Sequence, residues 1–139
     1  MMGGVEMENL LDITKQEIVA KGKIVKIEIA NFEEAFKNPE KVLAKTRDPE
    51  RAKSRKYAVI TVKTDNTEFT ESHGLPKGSS YDPEKNEWTV TDQIALRRSM
   101  LNYNNWFVKF IKKYNQNPKV GMEVEVVQNQ QGFLRIAVV

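Results

Sequence analysis

The side chains with the clearest chemical potential are basic and crowded into one short stretch. Lys37 to Tyr57 carries eight basic and three acidic residues, whereas Met1 to Phe36 carries four basic and seven acidic. The remainder carries ten basic and nine acidic, so the whole excess behind a net charge of +3 sits in that middle segment. Asymmetry of this kind points to an anionic partner more than total charge does. Arg47, Arg51, Lys53, Arg55 and Lys56 dominate its second half. Cations on a connection can follow a phosphate backbone without reading its sequence. The same stretch also reads as a solvated loop with partial helix, where Glu40, Asp48 and Glu50 neutralise some of the charge.

Other chemistries find little support. The chain has no cysteine and one histidine. Disulfides, thiolate metal sites and cysteine nucleophiles are therefore excluded, and the composition suits a reducing, cytoplasmic setting. His73 has no histidine partner for a zinc site and reads as a turn residue beside Gly74. Gly74-Leu-Pro-Lys-Gly78 has loop composition and a lysine, but it lacks Walker spacing and the GK[ST] ending, so no nucleotide site is read there. Asp65, Glu68 and Glu71 near strand ends suit a Mg²⁺ nuclease no better than they suit a solvated surface. The expectation is a protein without catalytic residues, metal or cofactor. No apolar run approaches the roughly 18 residues of a membrane span, and the acidic MMGGVEMENLLD start is unlike a secretory signal.

Residues 1–16 read as a flexible lead-in, with a helical turn around Met7 to Asp12, and 17–139 as a single domain. Glu17 to Ala30 is a first strand in which Ile18, Ala20 and Ile24 share one parity and Val25, Ile27 and Ile29 the other. The parity change predicts a bulge near Gly22. Residues 37–56 form a long basic loop, a length that is usually functional or mobile. Phe32, Ala35 and Phe36 before it suit a helical turn over the core. Tyr57 to Thr64 is the clearest strand: Ala58, Ile60 and Val62 face inward, and Tyr57, Val59, Thr61 and Lys63 outward. After a turn at Asp65-Asn66-Thr67, a third strand begins near Glu68 and is expected to add Phe69 to the outer face. Exposed rings interleaved with cations hold single strands by stacking and phosphate attraction, at about 1–3 kcal/mol per base. Packing beneath the long loop is the competing role for these rings.

Residues 79–91 suggest an extra hairpin in which Tyr81 and Trp88 face each other, Trp88 being either its staple or a stacking platform. Thr91 or Asp92 caps a helix over 92–115, where Ile94, Leu101 and Val108 form a seven-residue repeat. Asn102, Asn104 and Asn105 predict either a kink or a second helix starting near Asn105. Phe107, Val108, Ile111 and Tyr114 form its apolar stripe, and Asn115, Asn117 and Pro118 end it. Val124 and Val126, then Leu134, Ile136 and Val138, alternate with polar neighbours around a Gln128–Gly132 turn, predicting a closing hairpin.

The first strand GKIVKIEI, the second strand YAVITVKT and the helix followed by PKVGMEVEVVQNQQGFLRIAVV resemble OB-fold proteins of the single-stranded-DNA-binding, replication protein A kind. The likeness covers most of 17–139 in layout. It implies a mainly β fold with α, a five-stranded OB-type Greek-key barrel with a long helix before the last two strands. It also places ligand across the second and third strands, between the 37–56 loop and the Gln128–Gly132 turn. The basic loop's length, the extra hairpin and the long helix depart from the minimal pattern. The expected activity is non-catalytic binding of single-stranded DNA or RNA. Arg47, Arg51, Lys53, Arg55, Lys56 and Lys63 would serve as cations, Tyr57, Phe69, Trp88 and Phe133 as stacking rings, with Thr61 on the same strand face and Arg135 reaching phosphate or base. The alternative is a structural or interaction barrel that binds a protein partner, or a second copy, through helix 92–115.

Overall fold

One strand carries the rest of the sheet. β1 (Ile18–Asn31) pairs with two different neighbours along its length in a computed structural model that describes residues 17–101 and 105–139. Its first part, Ile18 to Lys23, runs antiparallel to β6 (Glu123–Gln128), and its second part, Lys23 to Asn31, antiparallel to β2 (Lys56–Lys63). β3 (Glu68–Gly74) adds to β2, and β7 (Leu134–Ile136) adds to β6. The five-stranded antiparallel sheet therefore has the order β3-β2-β1-β6-β7. The expected lead-in 1–16, with its turn at Met7–Asp12, and residues 102–104 lie outside the described residues.

The sheet curls until its two edge strands meet. At the seam the Glu71 carboxylate on β3 accepts the Ile136 N–H of β7 through Oε2 at 2.5 Å. A side chain thus replaces a backbone ladder, and the sheet is barrel-like and nearly closed. The inside is apolar: Ile24, Ile60, Val62 and Val126 are fully buried, with Ile27, Val124 and Ile136 beside them. Ala58, Ile60 and Val62 face inward, as their alternation requires.

β1 carries two irregularities, one on each side of Gly22; against β6 the register shifts between Ile18 and Ala20. The register against β2 shifts between Ile24 and Lys26, so Val25 is the inserted residue and Ile24 and Ile27 both reach the core. Gly22 has a different task. A Cβ there would lie 2.6 Å from Val62 Cγ1, so its bare backbone lets β1 cross close over β2.

The connection from β1 to β2 is mostly helical rather than loop. α1 (Phe32–Ala35) lays Phe32 against the barrel, as the aromatic spacing suggested. α2 (Pro39–Ala44) and α3 (Pro49–Ser54) each begin with proline, and Asn38 and Asp48 cap them through their side chains. β4 (Ser79–Asp82) and β5 (Glu87–Val90) form the separate hairpin, with Tyr81 opposite Trp88.

Of the two arrangements expected over 92–115, a kinked helix or a pair, the structure has the pair. α4 (Gln93–Met100) is capped by Asp92, and α5 (Trp106–Tyr114) by Asn105. The asparagine signal at Asn105 marked that break. The repeat Ile94, Leu101, Val108 is not a core stripe, because Ile94 is 68% and Leu101 71% exposed. The buried face belongs to α5, through Phe107 and Phe110. At its end the Tyr114 hydroxyl donates to Ala137 O at 2.7 Å and accepts from Glu125 N at 3.1 Å. It bridges β6 to the residue just past β7.

Three phenols are pushed above their ordinary value of 10.0, each chiefly by burial: Tyr57, Tyr81 and Tyr114. In the unfolded chain they ionise near 10, while the native state holds those protons to higher pH. The native state then binds more protons, so stability present below pH 10 must fall as pH rises through it. Urea midpoints should hold between pH 8 and 9 and drop by pH 11, and Tyr114→Phe should make the drop shallower. A midpoint unchanged at pH 11 would contradict the burial of these groups.

Candidate nucleic-acid interface

The seam between the two edge strands leaves an open cleft of about 690 Å³. Glu68 to Ser72 of β3 form one wall, and Phe133 to Arg135, entering β7, form the other. Phe36 and Lys37, just after α1, close one end. Three rings therefore border one space: Phe36 and Phe69 half-buried, and Phe133 with 65% of its surface exposed. Two exposed cations, Lys37 and Arg135, stand with them. Flat apolar faces and cations around an open groove are what a single strand requires of a binding surface; the exposed Glu68 on the same wall offsets part of the charge.

Local hydrogen bonds hold this geometry. Phe133 sits at the end of a turn folded around Asn129, whose Oδ1 accepts the N–H groups of Gln131 and Phe133 at 3.0 and 2.9 Å. Gly132, at φ +89, takes the left-handed position that lets the chain reverse there. On the opposite wall the Ser72 hydroxyl donates to Ala35 O at 2.6 Å, fixing α1 and the residues after it against β3. Glu71 lines the cleft but is already engaged. Its Oε2 takes the Ile136 N–H, and its Oε1 lies 3.1 Å from His73 Nε2.

His73 is not the expected turn residue. It lies within β3, and its ring stacks on Trp106 at a centroid distance of 4.0 Å and an interplanar angle of 8°. His73 is paired with the core residue Ala58, so its ring lies on the inner face of the sheet, against which Trp106 packs.

Several candidate residues sit elsewhere than their sequence pattern placed them. Tyr57 has outward parity but is 7% exposed. Phe32 and Phe36 cover its ring at 5.7 and 5.1 Å, and its hydroxyl donates to Ala52 O of α3. The helical connection thus seals this ring away from any stacking partner. Thr61, the next residue of outward parity on β2 after Val59, is 9% exposed and equally out of reach. Phe69 is on the inner parity, not the outer. It pairs with Val62, and directly opposed residues share a face. It reaches the cleft because β3 is an edge strand. Trp88 is the staple of its hairpin: its Nε1 donates to Pro118 O at 2.7 Å, and Tyr81 and Phe107 flank its ring. That arrangement leaves it outside the cleft.

The cations divide into groups. Arg135 joins the cleft with Phe69 and Phe133. Lys63 lies at the far end of β2, in a depression shared with Lys21, Lys23, Asp65 and Glu123. Arg51, Arg55 and Lys56 gather beyond the other end of β3, while Arg47 and Lys53 are exposed on the connection. Phe36 and Lys37 border the cleft but were not among the candidate binding residues singled out from the sequence. The Phe-Lys pair at the start of the basic segment was a legible signal, because an aromatic directly beside a cation is the pattern of a stacking groove.

Among the described residues no three His, Asp or Glu side chains converge in a metal-sized group. None of their helices is long and apolar enough to cross a membrane. No protein-family model, curated protein or solved structure matches the chain at a significant level.

Proposed function

We propose that this chain is an OB-type, Greek-key barrel that binds single-stranded nucleic acid without catalysis, in the cleft between β3 and β7. The observation that carries this reading is the exposed ring of Phe133, bordering one open groove with the half-buried Phe69 and with Arg135 and Lys37. Bases would stack on Phe133 and Phe69, with Phe36 at the end of the path. Arg135 and Lys37 would take phosphates, and the excess charge of the 37–56 segment would steer the strand toward the groove. The absence of cysteine supports work in a reducing, cytoplasmic compartment.

A fluorescent oligothymidylate of about 20 bases, sized for the upper end of one such site, tests the reading by anisotropy. Binding should be measurable at low salt and weaken as salt rises. Phe133→Ala should lower affinity by about 1–3 kcal/mol, the scale of one stacked base. Its melting temperature should hold, because the ring is already mostly in solvent. No binding at low salt, or equal affinity for Phe133→Ala, would sink the reading.

A second reading has its own observation. Ile94 and Leu101 are the largest exposed apolar side chains around α4, seven residues apart on nearly one face. Such a pair suits a protein partner or a second copy. Sedimentation that shows a mass rising with concentration, and lost in Ile94→Lys, would favour this reading over strand binding.

A further inference from the structure

We propose that the cleft between α3, the Leu75–Ser79 loop and α4 is a second binding site, for a phosphate monoester or pyrophosphate group. The cleft is about 540 Å³, within the size range of small-molecule sites. Arg51, Arg55, Lys56, Lys77 and Arg98 line it, and no acidic residue does. These cations come from four separate pieces of chain: α3, the start of β2, the loop after β3, and α4. The Lys56 ammonium is held by Asn31, donating to its Oδ1 at 2.5 Å. The other four like charges around one hollow repel each other, and a multiply charged anion at its centre relieves that repulsion. Clefts lined by one sign of charge also concentrate their field.

The surrounding acids do not cancel this charge. Asp48 caps α3 by accepting Arg51 N–H at 3.1 Å, and Asp92 caps α4 by accepting Ile94 and Ala95 N–H at 3.0 Å. Among the described residues none of the five cations makes an ion pair. Arginine is the better phosphate ligand because its planar fork matches two oxygens at once, and three of the five are arginines.

The walls are built to hold these groups in place. The Arg55 guanidinium lies against the bare backbone of Gly74, where a Cβ would come within 2.7 Å of Cζ and Nη2. α4 is seated on Gly78, whose φ is +80, and a Cβ there would lie 2.1 Å from Asp92 O and 2.7 Å from Leu96 N. The two glycines of the Gly74–Gly78 loop therefore set the positions of Arg55 and of the helix carrying Arg98, while Lys77 lies between them. The loop lacks a Walker pattern because its contribution is spacing rather than a cradle of N–H groups. The site stands on charge and geometry alone, whether or not a strand occupies the aromatic cleft.

Calorimetry of the full chain with inorganic pyrophosphate at low salt is the first measurement. Wild type should bind, and Lys77→Gln and Arg98→Gln should each weaken binding roughly tenfold, the scale of one charge-assisted contact. Gly74→Ala keeps every cation and displaces only the flexible tip of Arg55. It should stay folded and still lose affinity, which a simple excess of charge would not predict. Phe133→Ala should bind pyrophosphate as wild type does, so the two clefts fail or succeed separately. Oligothymidylates with a 5′-phosphate and a 5′-hydroxyl distinguish the source of the group. A preference for the 5′-phosphate that Arg98→Gln abolishes assigns the site to a strand end. Pyrophosphate binding with no such preference assigns it to a free phosphorylated molecule. No pyrophosphate binding by wild type, or equal binding by Lys77→Gln and Arg98→Gln, overturns the proposal.

Discussion

Phe110→Ala should destabilise the protein by about 3–5 kcal/mol, the range for deleting a fully buried phenylalanine. Phe110 is 0% exposed and belongs to the cluster formed by Ile24, Ile27, Ile60, Val62, Val124, Val126 and Ile136. Its ring also meets Trp106 at 5.1 Å and Tyr114 at 4.5 Å, so it joins α5 to the inside of the barrel. Truncation removes the transfer free energy of the ring and leaves a void that strands from several directions line. Such a wall relaxes poorly, because moving one strand disturbs the ladder of the next. The melting temperature should fall by roughly 10–20 °C for a domain of this size. Phe110→Leu, which keeps most of the volume, should fall much less. A loss under about 3 °C for the alanine variant would show that Phe110 does not anchor α5 in the core.

Glu71→Ala should cost about 3 kcal/mol, from a different source. The side chain is buried at 8% exposure, and the Ile136 N–H it accepts is buried too. Removing the carboxylate leaves that N–H without a partner in a place water does not readily reach, and leaves His73 without its contact. Each loss acts on the seam that joins β3 to β7. Glu71→Gln retains an oxygen for Ile136 and should recover most of the stability. Hydrogen exchange at Ile136 reads the seam directly. Its amide should exchange faster in Glu71→Ala, while amides of β1 and β2 follow only the global change. Unchanged protection at Ile136 would mean that the seam is held by something other than this carboxylate.

Much of the scaffold was readable from local pattern. The alternation of Ala58, Ile60 and Val62 marked β2, the Tyr81–Trp88 pairing marked the extra hairpin, and Asn105 marked the start of α5. Each of these signals acts within a few residues of itself, through pleat, turn and cap. The α5 stripe was found without its most buried member: Phe110 is fully buried with Phe107, whereas Val108, Ile111 and Tyr114 are half-buried. The site was less legible. Parity assigned Tyr57 to the surface, yet α1 and α3 fold back over it. Parity also assigned Phe69 outward, because the pairing of Val62 with Phe69 depends on the length of a turn that the alternation does not encode.

Composition and periodicity by themselves determined that this chain is mainly β with helices, that its charge excess lies between Lys37 and Tyr57, and that thiol chemistry is closed to it. Those properties are sums or short repeats along the chain. Tertiary structure alone decided which charges and rings meet. Arg98 joins Arg55 only because Gly78 seats α4 beside the end of β3. Phe133 and Phe69 border one cleft only because the sheet curls until its edges touch. Both are contacts between residues far apart in sequence, and the twist and closure that create them follow from packing the whole core at once.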